Sequence, residues 1–188
     1  MIWIPFAVLF GFVFFVLIWI MMLYNNLVRA RNHCDESWSD IDTELRRRYN
    51  LIPNLVETVK GYASHEKDVL ERVIQARNQA MANHGTPDSQ AKDENMLIGG
   101  LRQLFALAES YPDLKANQNY LQLQEELGNT EDRIQRSRRF YNANVRDLNN
   151  LVETFPSVLI AGPFGFSKRE YFEIEDEAQR QAPKVSFR

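Results

Sequence analysis

Ile2 to Leu23 form an uninterrupted run of 22 residues without a charged or strongly polar side chain. As a helix this run is roughly 33 Å long, which matches the ~30 Å hydrocarbon core of a bilayer, and a helix satisfies its own backbone groups as lipid requires. The pattern predicts a transmembrane anchor over residues 1–24. Trp3 at one end, and Trp19 with Tyr24 at the other, fall where interfacial aromatic anchors belong, with Arg29 and Arg31 just beyond. Pro5 lies in the first turn, where a missing N–H costs little. A cleaved secretory signal is the competing reading. It would need a cationic leading segment and a small-x-small cleavage motif, and the sequence offers neither, so a retained anchor is expected. Because Arg29 and Arg31 follow the span, the positive-inside rule puts the remaining chain in the cytoplasm.

Beyond the span, Leu27, Ala30, Cys34, Trp38, Ile41, Leu45, Tyr49, Ile52, Val56, Val59 and Ala63 recur at steps of three or four, one face of a helix. No Gly or Pro separates this stripe from the span, so one helix is expected to run from bilayer into domain. Pro53 interrupts the backbone ladder, yet the apolar phase continues across it, which favours a kink over a reversal. The reversal is expected at Gly61 to Ser64, with Ser64 as N-cap of a second helix through Val69, Leu70, Val73, Ile74 and Met81. Asn83 to Gln90 reads as an exposed loop.

A third helix carries Leu97, Leu101, Leu104, Phe105 and Ala108, with Gly99 and Gly100 as a weak or closely packed point. Pro112 and Asp113 punctuate the chain. A long fourth helix follows with Leu121, Gln124, Leu127, Ile134, Tyr141, Val145, Leu148 and Val152. Gln124 and Arg138 are off-pattern, either at the stripe edge or in a buried polar network or oligomer contact. No helix can bury its stripe alone. The predicted class is therefore all-α: an N-terminal transmembrane helix continuing into an antiparallel four-helix bundle over residues 25–155.

From Phe155 the helical period stops. Val158, Leu159, Ile160, Gly162, Pro163, Phe164, Gly165 and Phe166 make an apolar, irregular segment that opens a C-terminal tail, 156–188. Burying each large side chain is worth about 1.5 to 3 kcal/mol, so the segment must cover the bundle, a neighbouring subunit or lipid headgroups.

Composition changes this picture little. With 45% apolar and 25% charged residues the chain of 188 suits one anchor and one folded domain, and 8 Gly favour helices over turn-rich folds. A net charge of -3 offers no footprint for nucleic acid. The single Cys34 excludes an intrachain disulfide.

Candidate chemistry fails on spacing. His65-Glu66 would need a second His at position 69 for a zinc-protease helix, and Val69 stands there. None of His33, His65 and His84 has Glu three residues before it, as a di-iron bundle requires. Cys34 lies in the apolar stripe and reads as a buried structural thiol. Gly99-Gly100 lacks the Lys-Ser/Thr of a phosphate loop. No catalytic residue, metal or cofactor is expected.

Arg46, Arg47 and Arg48 follow Asp40, Asp42 and Glu44 on one helix and read as a solvated, self-paired face, Asp42 with Arg46 and Glu44 with Arg48. A docking patch for an acidic partner or anionic lipid is the alternative. Arg133, Arg136, Arg138 and Arg139 are less compensated and are the stronger candidates for a protein or lipid contact, together with Leu159, Ile160, Phe164 and Phe166.

Tyr24 to Glu66, Tyr111 to Leu127, Arg138 to Asn149, Phe155 to Phe166 and Ala182 to Phe187 are spread nearly end to end along the chain, in long, specific motifs such as FPSVLIAGPFGF and APKVSF. In their order and wording they resemble the LemA family of bacterial membrane proteins. The resemblance implies a four-helix bundle behind an N-terminal membrane helix and carries over no enzymatic activity. The expected function is a non-enzymatic scaffold at the bacterial inner membrane that associates with itself, as a homo-oligomer, and organises protein or lipid. An adaptor or regulator of a membrane enzyme, such as a protease, is the alternative, and an unrecognised enzyme the least favoured class.

Overall fold

The computed structural model describes residues 3–174, and among them all regular structure is helical. The helices are α1 (Trp3–Lys60), α2 (Lys67–Ala82), α3 (Pro87–Ala108), α4 (Pro112–Lys115), α5 (Gln118–Glu153) and α6 (Val158–Ala161). Ala182 to Phe187 and the far end of the expected tail lie outside the described residues. The chain divides into two compact units. The first holds α1 up to Asp42 with Arg136–Glu170, and the second holds Thr43–Gln135 with residues 171–174.

The span and the stripe belong to one unbroken helix of 58 residues. Its survival across Pro53 has a local cause. Proline at position 53 removes the donor that would have bonded the carbonyl of Tyr49. Arg77 of α2 supplies the replacement, its Nε donating to that carbonyl at 2.9 Å. A part-buried carbonyl that proline would otherwise orphan is thereby satisfied.

Both long helices carry seven-residue rows of buried side chains. On α1 the row is Leu27, Cys34, Ile41, Arg48 and Leu55; on α5 it is Tyr120, Leu127, Ile134, Tyr141 and Leu148. A heptad row keeps one seam turned to a packing partner. The α5 row corrects the expected start of the stripe, because Tyr120 is buried whereas Leu121 and Gln124 are exposed.

Three boundaries also differ from expectation. Ser64 caps nothing: α2 begins at Lys67 behind Glu66, after a turn in which Glu66 N–H bonds Ala63 O at 3.1 Å. The polar stretch after α2 is a loop only as far as Thr86, whose side chain accepts from Ser89 N–H while Pro87 opens α3. Pro at the first helical position suits a site with no donor to lose. The segment after Phe155 is not wholly irregular, since Val158–Ala161 closes one helical turn.

In the second unit α2 and α3 pack against each other around Leu70, Val73, Leu97, Leu101 and Leu104. Gly100 faces Val73 of α2, and an added Cβ would lie 3.4 Å from Val73 Cγ2.

Candidate functional site

In the first unit the chain returns after α5 to the point where the apolar run of α1 ends. Leu27, Ile160, Ala161 and Phe166 form a small core, and Ile20, Leu23, Val28, Leu151 and Val152 pack around it half-buried. Tyr24 meets Phe164 and Phe166 edge-on, with ring centroids at 5.1 and 5.7 Å. The Arg31 guanidinium stands 5.2 Å from the centre of the Phe166 ring, a cation–π contact. The turn between the two phenylalanines is made by Gly165, whose φ of +73° is a backbone state that side chains disfavour.

The residues that follow carry no regular structure and are tied to the helices by side chains. Asn149 grips the backbone of Arg169 from both sides, Nδ2 donating to its carbonyl at 3.0 Å and Oδ1 accepting its N–H at 2.9 Å. Tyr141 donates to Glu170 O at 3.0 Å, and Arg169 pairs with Asp35 at 2.6 Å. On the same unit Asn144 reaches Ser37 Oγ at 3.1 Å and His33 O at 3.2 Å. Burial pushes the Tyr141 hydroxyl up to about 12 and raises the Cys34 thiol above its ordinary value. In both cases Arg169 opposes the shift. Cys34 is fully buried, so it is a packing residue rather than an exposed nucleophile.

The second unit contains a polar knot that the sequence reading missed. Arg48 is buried and donates to Glu94 of α3 and, at 2.8 Å, to Glu131 of α5. Tyr49 donates its hydroxyl to Glu94 as well, and Gln90 donates to Glu94 and Tyr49 at 3.0 and 3.1 Å. The expected pair of Glu44 with Arg48 on a solvated face is thus corrected. Glu44 instead lies 4.0 Å from Arg47 and 3.8 Å from Arg133. The signal for Arg48 was its place in the row Leu27, Cys34, Ile41, Arg48, Leu55, seven residues apart.

The proposed contact residues separate into two sets. Trp3, Trp19 and Tyr24 are exposed on α1, and Arg29 is exposed and bonds back to Asn25 O and Asn26. Ile160 and Phe166 turn inward, whereas Leu159 and Phe164 are 59% and 56% exposed. On α5, Arg136 and Arg139 are exposed beside Phe140, itself 59% exposed, and Arg138 is half-buried. Arg133 belongs to the second unit and faces a polar groove of about 670 Å³ shared with Arg46, Arg47, Asn50 and Asn129. Among the described residues no three His, Cys, Asp or Glu side chains gather as a metal site would need.

A family model described as the LemA family matches residues 37–187, well over half of the chain. Magnetosome protein MamQ 1 of Paramagnetospirillum magneticum is 26% identical, over 82% of this chain and 66% of its own length. Magnetosome protein MamQ of Magnetospirillum gryphiswaldense is 25% identical, over 81% of this chain and 65% of its own length. Protein LemA of Metamycoplasma hominis is 28% identical, over 78% of this chain and 70% of its own length. The chain thus spans slightly less than two thirds of the magnetosome relatives.

Proposed function

The chain belongs to the LemA family, and from that premise we propose a membrane-anchored, non-enzymatic scaffold that associates with copies of itself at the bacterial inner membrane. The observation that carries the reading is α1. One unbroken helix is apolar and mostly exposed from Phe6 to Leu23 and then contributes a buried row to packed helices. Those exposed side chains are favourable only in lipid, and the continuous helix makes the anchor a rigid mount. Copies held in one bilayer by such mounts meet in two dimensions, which raises their effective concentration.

Phe140 with Arg136 and Arg139 is the contact offered for self-association. The three share one face of α5 at i, i+3 and i+4, and an exposed aromatic ring flanked by arginines has the composition of protein interfaces rather than of ordinary surface. The arginines after the span support a cytoplasmic domain. Against catalysis, the buried charges Arg48 and Glu94 of the second unit are engaged with each other, with Glu131 and with Tyr49.

Cysteine crosslinking in membranes tests the reading. With Cys34 buried, Phe140→Cys should yield a disulfide-linked dimer, and an exposed site such as Gln122→Cys should not. If no position along α5 crosslinks, and the protein stays monomeric in nanodiscs at every concentration, self-association fails. The groove at Arg46, Arg47 and Arg133 favours the adaptor reading instead, and a different protein co-purifying in stoichiometric amount would establish it.

A further inference from the structure

We propose that the segment Phe155 to Phe166 is a second membrane contact, an apolar wedge seated in the interfacial layer of the bilayer beside the exit of α1. This rests on the anchor reading above and adds a lipid-binding element to it. Three observations place the wedge at that depth.

First, the segment covers residues inside the apolar run as well as beyond it. Ile20 and Leu23 are half-buried by the cluster of Ile160, Ala161 and Phe166, and Tyr24 meets Phe164 edge-on. At 1.5 Å of rise per residue, Ile20 lies roughly 6 Å before Tyr24 along the helix, so the segment reaches about one turn into the stretch that lipid would surround. Second, the segment is two-sided. Ile160, Ala161 and Phe166 face α1, while Phe155, Leu159 and Phe164 are 76%, 59% and 56% exposed. A loop at this level has lipid, not bulk water, outside it, and large aromatic and aliphatic side chains there are favourable at the acyl boundary. Third, the charged residues of α1 that meet this segment and its continuation lie beyond the span. Arg31 packs over Phe166 rather than Phe164, and Arg169 pairs with Asp35 one helical turn farther from the span.

The backbone fits the task. Val158–Ala161 closes its own turn, Phe164 N–H bonds Ile160 O at 3.2 Å and Phe166 N–H bonds Ala161 O at 2.9 Å, so much of the segment's hydrogen bonding is internal. Near lipid, unsatisfied backbone groups are costly, and internal pairing lets the wedge approach the hydrocarbon. The occupant is the lipid itself. A second copy of the chain would instead have to seal the same residues by protein contact.

Nitroxide labels read depth directly. Full-length protein carrying Phe155→Cys, Leu159→Cys or Phe164→Cys would be labelled and reconstituted into vesicles of phosphatidylethanolamine and phosphatidylglycerol. Label collisions with oxygen, which concentrates in lipid, would be compared with those of a water-soluble nickel chelate. Val13→Cys reports the anchor and Asp88→Cys reports water. The wedge predicts that all three test labels favour oxygen, at a depth shallower than Val13. Water-like ratios at the test sites with a lipid-like Val13 overturn the wedge alone, and a water-like Val13 overturns the anchor beneath it. Low access to both probes, with spin–spin broadening, means a protein contact and also overturns the wedge. Because the substituted residues are exposed, circular dichroism of each variant should match the parent.

Discussion

Arg48 donates to Glu94 from within an otherwise apolar row of α1, and the two side chains retain only 2% and 0% of their exposure. Each charge is tolerable there only because the other is present, with Glu131 adding a second acceptor for Arg48 and with Tyr49 and Gln90 donating to Glu94. Burying an ion without its partner costs several kcal/mol, so the pair fixes which faces of α1 and α3 can meet.

Breaking the pair on one side should therefore destabilise the protein. Arg48→Met is expected to cost about 3 to 5 kcal/mol, because Glu94 is left buried and unpaired. Arg48→Met with Glu94→Leu should recover a substantial part of that loss. Urea unfolding of the full chain in detergent, followed by circular dichroism, measures both; a double variant no more stable than the single one contradicts the account.

Asn149 should control how firmly the residues after Gly165 are held. Asn149→Ala removes both hydrogen bonds to Arg169, at a cost of about 1 to 3 kcal/mol for the buried groups left unmet. Trypsin should then cut after Lys168 and Arg169 faster than in the parent, and unchanged cleavage would remove Asn149 from this role.

Tyr141 makes stability pH-dependent in a defined window. Its hydroxyl is neutral in the fold up to about 12, while the unfolded chain ionises near the ordinary value of 10. A raised folded value means the contribution is complete below pH 10 and is lost as pH climbs through 12, on the order of 2 kcal/mol in all. Tyr141→Phe should be less stable at neutral pH, having lost the bond to Glu170, but should show a shallower decline between pH 10 and 12. Denaturant midpoints across that range give the comparison.

Cys34 should be silent until the protein opens. It is fully buried and its thiol is shifted upward by burial, so both access and thiolate fraction are low. Labelling by a maleimide is expected only after denaturation, and labelling of the native protein in native membrane would show that the first unit opens locally at α1.

The long helices were legible because apolar periodicity over many turns is a strong local signal, and Ile2 to Leu23 needed nothing but length. What lay beyond reach were contacts between distant positions. The sequence shows Pro53 as a break, and only the fold reveals that Arg77 answers the carbonyl proline strands. In sequence Arg48 reads as part of a solvated, self-paired face because Glu44 stands four residues before it, and only its place in the heptad row points the other way. Leu121 and Tyr120 were exchanged for the reverse reason: leucine is the more apolar, but the seven-residue spacing selects the tyrosine. For the Phe155 to Phe166 segment, apolarity announced that it must cover something. Which side chains turn inward depends on the turn at Gly165 and on Tyr24, which lies far away in sequence.

Hydrogen exchange of the full-length protein in nanodiscs tests the central claim, that one helix passes from lipid into packed protein without a hinge. Amides from Phe6 to Leu23 should be shielded by lipid and helix together, and those from Tyr24 through Cys34 should stay slow as the helix continues. Fast exchange across residues 24–30, with slow exchange on either side, would mean a flexible tether and would contradict the rigid mount.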